Sequence, residues 1–184
     1  MKYQLNITLT EEDYLAFNYF HAIESQQAQK TIKKSRVFFI AFMVALMAFM
    51  LFVVGWDSFT ATYIILLGIC TIVYAFFFKK LMRRNVQAQV RHLKKTGKLP
   101  FDPNSSFEFY DDKIVEITPA KRIEQSYDVL ERVCLLPGRY IFLYNSSVGA
   151  YILPVCQVNA QTDRDAFWAF ISQKCKNIEQ YSSK

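Results

Sequence analysis

The sequence predicts an α+β membrane protein: a two-helix transmembrane hairpin with long cytoplasmic extensions, joined to a C-terminal β-barrel or sheet capped by one α-helix. Three observations predict it, namely two uninterrupted apolar runs, the placement of the basic residues, and a succession of short alternating segments in the last eighty residues. Of 184 residues, 52% are hydrophobic and 21% charged, the mean hydropathy is +0.08 and the net charge is +6. Intrinsic disorder is excluded, because it requires low hydrophobicity and high charge. Five Gly and five Pro exclude collagen-like and low-complexity chains.

Residues 1–36 are expected to form a cytoplasmic strand and helix. Tyr3, Leu5, Ile7 and Leu9 alternate with polar residues, the pattern of a half-buried strand. Thr10 followed by Glu11, Glu12 and Asp13 reads as a helix N-cap with acids suited to the dipole. No Gly or Pro follows before Gly55, so this helix is expected to run unbroken into the first span.

Residues 37–78 are the expected hairpin. Val37–Gly55 and Phe59–Phe78 are uncharged, and a bilayer core about 30 Å thick needs about 20 helical residues. A domain this small has too little other chain to cover two such helices on every face, which disfavours a pair of buried core helices. Only Trp56, Asp57 and Ser58 separate the runs, so the turn is tight. Along the first span Ala41, Ala45 and Ala48 form a small-residue stripe that lets another helix approach closely. Packing within the hairpin is the expectation, and self-association into a homo-oligomer the alternative.

The basic residues orient the hairpin. Lys30, Lys33, Lys34 and Arg36 precede the first span, and the basic helix extension of residues 79–98 holds eight Lys and Arg and no acid. The connecting turn holds one acid and no base. The positive-inside rule then puts both termini in the cytoplasm and the turn outside, the chain crossing the membrane twice. No secretory signal is expected, because the first apolar run starts after thirty-six largely polar residues. Lys79, Lys80, Arg83 and Arg84, with Lys33, Lys34 and Arg36, are the candidate contacts to anionic lipid head groups, at about 1 kcal/mol per charge. The charge excess is therefore expected to serve the bilayer and not nucleic acid. Beyond the second span Leu81 or Met82, Val86, Val90 and Leu93 make an apolar stripe, so the two extensions are expected to pack antiparallel.

Residues 99–184 change texture. Strands are expected at 106–110, 113–118, 122–126, 130–136, 139–144 and 149–153, with turns at Asp111-Asp112, Pro119-Ala120, Pro137-Gly138 and Asn145–Ser147. Thr162 is expected to cap a helix reaching about Asn177, with Phe167, Phe170, Ile171 and Ile178 on its apolar face. Short strands followed by one amphipathic helix outline a pleckstrin-homology-like (PH-like) barrel; an unclosed sheet under a helix is the alternative.

Three places in the chain carry a family resemblance: LTEEDYLAFNYFHA at 9–22, FEFYDDKIVEIT at 107–118, and the series YDVLERV, YIFLY and AYILP between 127 and 154. In these the chain resembles the YcxB-like bacterial membrane proteins. Lys113 stands where that family usually has Gly, and Tyr127 where Trp is common. The resemblance implies a cytoplasmic PH-like domain on a two-helix anchor, with no established reaction and no catalytic residues to carry over.

Chemistry beyond binding finds little support in the residues. His21 and His92 lack Cys or acid partners at ligand spacing, so no metal and no cofactor is expected. Cys70, Cys134, Cys156 and Cys175 form no C-x-x-C pair and are expected to be reduced structural thiols. Asp111-Asp112 reads as turn chemistry. The spans lack intramembrane carboxylates or bases for a proton or ion path. From Leu99 onward there are nine basic and eleven acidic residues, a poor match to a phosphoinositide. The expectation is a non-enzymatic interaction module that binds an unidentified protein partner at the membrane surface. An immunity or accessory protein neutralising a membrane-active toxin is the alternative within binding proteins; a membrane enzyme is the alternative outside them.

Overall fold

The computed structural model describes residues 1–97 and 101–181. The expected boundary at 98/99 lies outside the described residues. The chain divides into two compact units, one made of Met1–Phe17 with Leu93–Lys184 and the other of Asn18–His92. The second unit is thus an insertion within the first.

In the discontinuous unit, β1 (Tyr3–Thr8) opens the chain and α1 (Glu11–Tyr19) follows. Thr10 caps α1: its Oγ1 accepts the Asp13 N–H at 3.2 Å, while Asp13 Oδ2 accepts the Thr10 N–H at 2.8 Å. That reciprocal pair satisfies two donors at the helix start. After the insertion come β2 (Asn104–Phe109), β3 (Lys113–Ile117), β4 (Arg122–Ser126), β5 (Arg132–Leu136), β6 (Tyr140–Tyr144), β7 (Ala150–Pro154), α4 (Val155–Gln161), α5 (Arg164–Lys174) and β8 (Ile178–Gln180). All six expected strands are present within two residues at each end.

Two four-stranded sheets result, ordered β1-β2-β3-β4 and β7-β6-β5-β8. No ladder joins one to the other among the described residues, so the barrel reading is corrected to an open pair of sheets. The first sheet is antiparallel throughout, with Tyr3 opposite Phe109 and Thr8 opposite Asn104. In the second, β8 lies parallel to β5. At the β5–β6 turn Gly138 has φ +73° after Pro137, and the Arg139 N–H donates to the Leu136 carbonyl at 3.0 Å. This is a type II turn, whose third position needs a residue tolerant of positive φ.

Leu5, Phe109, Ile141, Leu143, Leu153 and Phe167 are fully buried. Phe167 of α5 meets Tyr3 edge-on at 5.3 Å and Phe109 at 4.9 Å, so this helix covers the β1–β2 end of the first sheet. Phe17 of α1 lies 5.3 Å from Phe142 and 5.7 Å from Tyr144, covering β6. Because β6 is buried on both faces, residues 141–144 are all inaccessible.

Two details of the expected helix change. It corresponds to α5 alone, preceded by the unexpected α4 directly after Pro154, and Asp163, not Thr162, caps it by accepting the N–H groups of Asp165 and Ala166. One carboxylate oxygen, Oδ1, thereby satisfies two of the orphan donors at the helix start. Ile178 lies beyond α5, on β8 and 42% exposed, so it belongs to no helical apolar face.

The inserted unit holds α2 (Gln26–Val54) and α3 (Ser58–Lys95). The expectation of one helix from residue 11 into the first span is corrected at Ser25. A π-helical turn at Phe20–Glu24 precedes it, and Ser25, at ψ 150°, starts α2 by accepting the Ala28 N–H at 3.1 Å. Serine's hydroxyl competes for backbone donors and favours such a cap over a helix interior. At the far end Gly55, with φ +82°, closes α2, and Asp57 Oδ1 accepts the Thr60 N–H at 2.7 Å to open α3.

Candidate membrane-interface site

The two helices of the inserted unit are 29 and 38 residues long, about 44 and 57 Å at 1.5 Å per residue. Both are long and apolar enough to cross a bilayer, and none of their most apolar windows is buried. Among the described residues, every exposed large hydrophobic side chain except Met1, Val129, Val148 and Ile178 lies between Val37 and Leu81. Phe52 is 89% exposed, Phe76 80% and Trp56 76%.

What holds the two helices together is a seam of half-buried residues. On α2 these recur as Phe39, Met43, Leu46 or Met47, and Met50; on α3 as Ile64, Leu67, Thr71, Tyr74 and Phe78. Alternating steps of three and four keep each row on one side of its helix. Phe39 and Tyr74 meet at 4.1 Å between ring centroids, and Tyr74 meets Phe78 at 5.1 Å. Ala41, Ala45 and Ala48 are all exposed. The reading of that stripe as packing within the hairpin is therefore corrected: bulky Phe39 and Met43 form the contact, and the alanines face the opposite side.

Of the seven candidate lipid-contacting cations, Lys33, Lys34, Lys79, Lys80, Arg83 and Arg84 are exposed and Arg36 is half-buried. Among the described residues none of the seven forms an ion pair. The structure gathers three of them. Lys33 and Arg36 of α2 and Lys79 of α3 line a cleft of about 370 Å³, together with Gln29 and the apolar Ile32, Val37 and Ile40. The Arg36 guanidinium sits 5.7 Å from the centre of the Phe78 ring, within cation–π range. Its Nε is buried and has no hydrogen-bond partner. Lys80 and Arg84 flank a second, smaller cleft of about 180 Å³ with Phe77 and Leu81. Lys34 and Arg83 line neither.

Sequence reasoning identified the cations but not the cleft, which requires knowing that residues 36 and 78 face one another. The spacing of Ile32, Arg36 and Ile40 along one face is the only signal in the primary structure.

The other unit presents sheet edges. The outer backbone row of β1 is occupied by two glutamines of α4. Gln157 accepts the Thr8 N–H at 2.8 Å and donates to the Thr8 carbonyl at 2.8 Å; Gln161 does the same to Asn6 at 2.7 and 2.8 Å. Side chains at i and i+4 share a helix face, and residues two apart on an edge strand point outward together, so the two periods match. Each amide thus stands in for a peptide group of a further strand. At the other edge of this sheet, Arg122 of β4 reaches Glu108 and Glu124, and Lys113 binds Glu124 at 2.6 Å.

Burial pushes the Cys134 thiol up to about 12 and the Cys175 thiol up to about 11, leaving both protonated and poorly nucleophilic. Burial also raises Glu116, against the pull of nearby Lys121. Among the described residues no three His, Cys, Asp or Glu side chains come together as a metal-binding group. No family model matches this chain, no curated protein matches it, and no solved structure matches its fold.

Proposed function

We propose that this chain is a membrane-anchored interaction module of the bacterial inner membrane, which carries a cytoplasmic PH-like domain and acts by binding a protein partner at the membrane surface. The observation that carries the proposal is the belt of exposed apolar side chains from Val37 to Leu81, bordered by unpaired cations at Lys33–Arg36 and Lys79–Arg84. Water makes such a belt costly, at roughly 25 cal/mol per Å² of apolar surface, whereas acyl chains and anionic head groups satisfy both parts.

A PH-like reading draws support from the 4+3 arrangement that β1–β4 and β5–β7 make before the C-terminal helices, with β8 an addition. In that reading the membrane hairpin is inserted after the first strand of the domain. Both termini are then cytoplasmic. A partner adding a strand has β4 available, since α4 already occupies β1. A second reading, a homo-oligomer, is favoured by the exposure of Ala41, Ala45 and Ala48, which leaves that stripe open to another helix in the bilayer.

The test is expression in a bacterial host, with alkaline carbonate extraction and thiol labelling of a Ser58→Cys variant lacking the native cysteines. The chain is expected to stay in the membrane pellet and to react with an impermeant maleimide from outside. Release into the supernatant, or protection of residue 58 in intact spheroplasts, overturns the proposal.

A further inference from the structure

We propose that the cleft between α2 and α3 binds the phosphodiester of one anionic phospholipid per chain, with Arg36 as its principal donor. The proposal rests on the reading of the hairpin as a membrane anchor and adds a specific bound lipid to it. The cleft lies where both uncharged runs end, since Val37 begins the first and Phe78 closes the second. Its lining is divided: Lys33, Arg36 and Lys79 supply three positive charges, and Val37 and Ile40 supply apolar surface. A phospholipid has the same division, a phosphate joined to acyl chains.

Arg36 is the reason to expect a bound lipid rather than a diffuse ion atmosphere. A buried donor without a partner is costly, the more so when charged, so native structures rarely leave one unfilled. Arg36 Nε is such a donor. Arg36 lines the cleft and is only half-buried, and a guanidinium suits the paired oxygens of a phosphate. Lys33 and Lys79 approach from the two helices and have no ion-pair partner of their own among the described residues. At about 370 Å³ the cleft holds roughly a dozen waters of ~30 Å³ each, room for a phosphoglycerol group but not a whole lipid. The acyl chains then run outside it, along the exposed apolar belt.

The test is native mass spectrometry of the full chain in detergent, titrated with dioleoyl phosphatidylglycerol, dioleoyl phosphatidylcholine or inorganic phosphate. One phosphatidylglycerol per chain is expected, retained about tenfold better than phosphatidylcholine and not displaced by millimolar phosphate. Arg36→Gln and Lys79→Gln should each reduce that retention about tenfold, Arg36→Lys less, and Lys176→Gln, in the sheet unit, not at all. Circular dichroism identical to the parent chain confirms that each variant is folded; Lys79 is exposed, so its variant serves should Arg36→Gln misfold. Equal retention of the two lipids, an unchanged Lys79→Gln, or displacement by phosphate overturns the lipid site. Carbonate extraction separates the two failures: a chain that resists extraction yet shows no lipid preference has lost only this proposal, whereas one that is extracted has lost the anchor as well.

Discussion

The two units of this chain bury opposite kinds of surface. In the β-sheet unit, large apolar side chains point inward: Leu5, Phe109, Phe142 and Phe167 are inaccessible. In the hairpin the large apolar side chains point outward, and only a narrow seam around Phe39, Met43 and Tyr74 joins the helices. Composition does not separate these cases, because Phe is abundant in both. What separates them is burial, since Phe167 is inaccessible whereas Phe52 is 89% exposed, and the comparison teaches that the same residue type carries different energetic weight in each.

The largest expected effect tests that difference directly. Phe167→Ala removes a ring wedged between Tyr3 and Phe109 and should cost about 3–5 kcal/mol. Phe52→Ala, on the outward face of α2, should leave the melting of the sheet unit within about 0.5 kcal/mol of the parent. Thermal unfolding followed by near-ultraviolet circular dichroism reads both; equal losses would break the distinction. A smaller effect concerns the polar edge. Gln157→Ala should cost about 1–2 kcal/mol and speed amide exchange at Thr8, while Gln161→Ala should do so at Asn6. Hydrogen exchange resolved at those two amides checks the pairing, and unchanged protection in both variants would contradict it.

Much of the architecture was legible in the sequence. The hairpin announces itself because a charge-free run of about twenty residues has few other uses. The strands at 113–117, 122–126 and 140–144 were visible because alternation and the Asp111-Asp112 and Pro137-Gly138 turns are local signals. The pairing of β1 with β2 was not, because its partner lies about a hundred residues away across the inserted helices, and no local pattern encodes it. Gln157 and Gln161 read as ordinary helix-surface amides until the edge they cover is known. The break at Ser25 was hidden in a run of good helix formers, where a single cap residue decides the backbone path. The alanine stripe misled for a physical reason: small residues permit close packing but do not compel it, and Phe39 and Met43 fill the seam instead. At the candidate site the cations were legible, whereas the unpartnered Nε of Arg36 depends on contacts between two helices.

The central claim is that the outward apolar face of the hairpin meets lipid. Nitroxide labels at residues 52 and 76, in variants lacking the native cysteines and reconstituted into liposomes, test it through their accessibility to oxygen and to a water-soluble nickel chelate. Both labels should be mobile and reached by oxygen, and shielded from the chelate, while a label at Met43 in the seam should be immobile. Ready collision of the chelate with residues 52 and 76 would place that face in water and contradict the account.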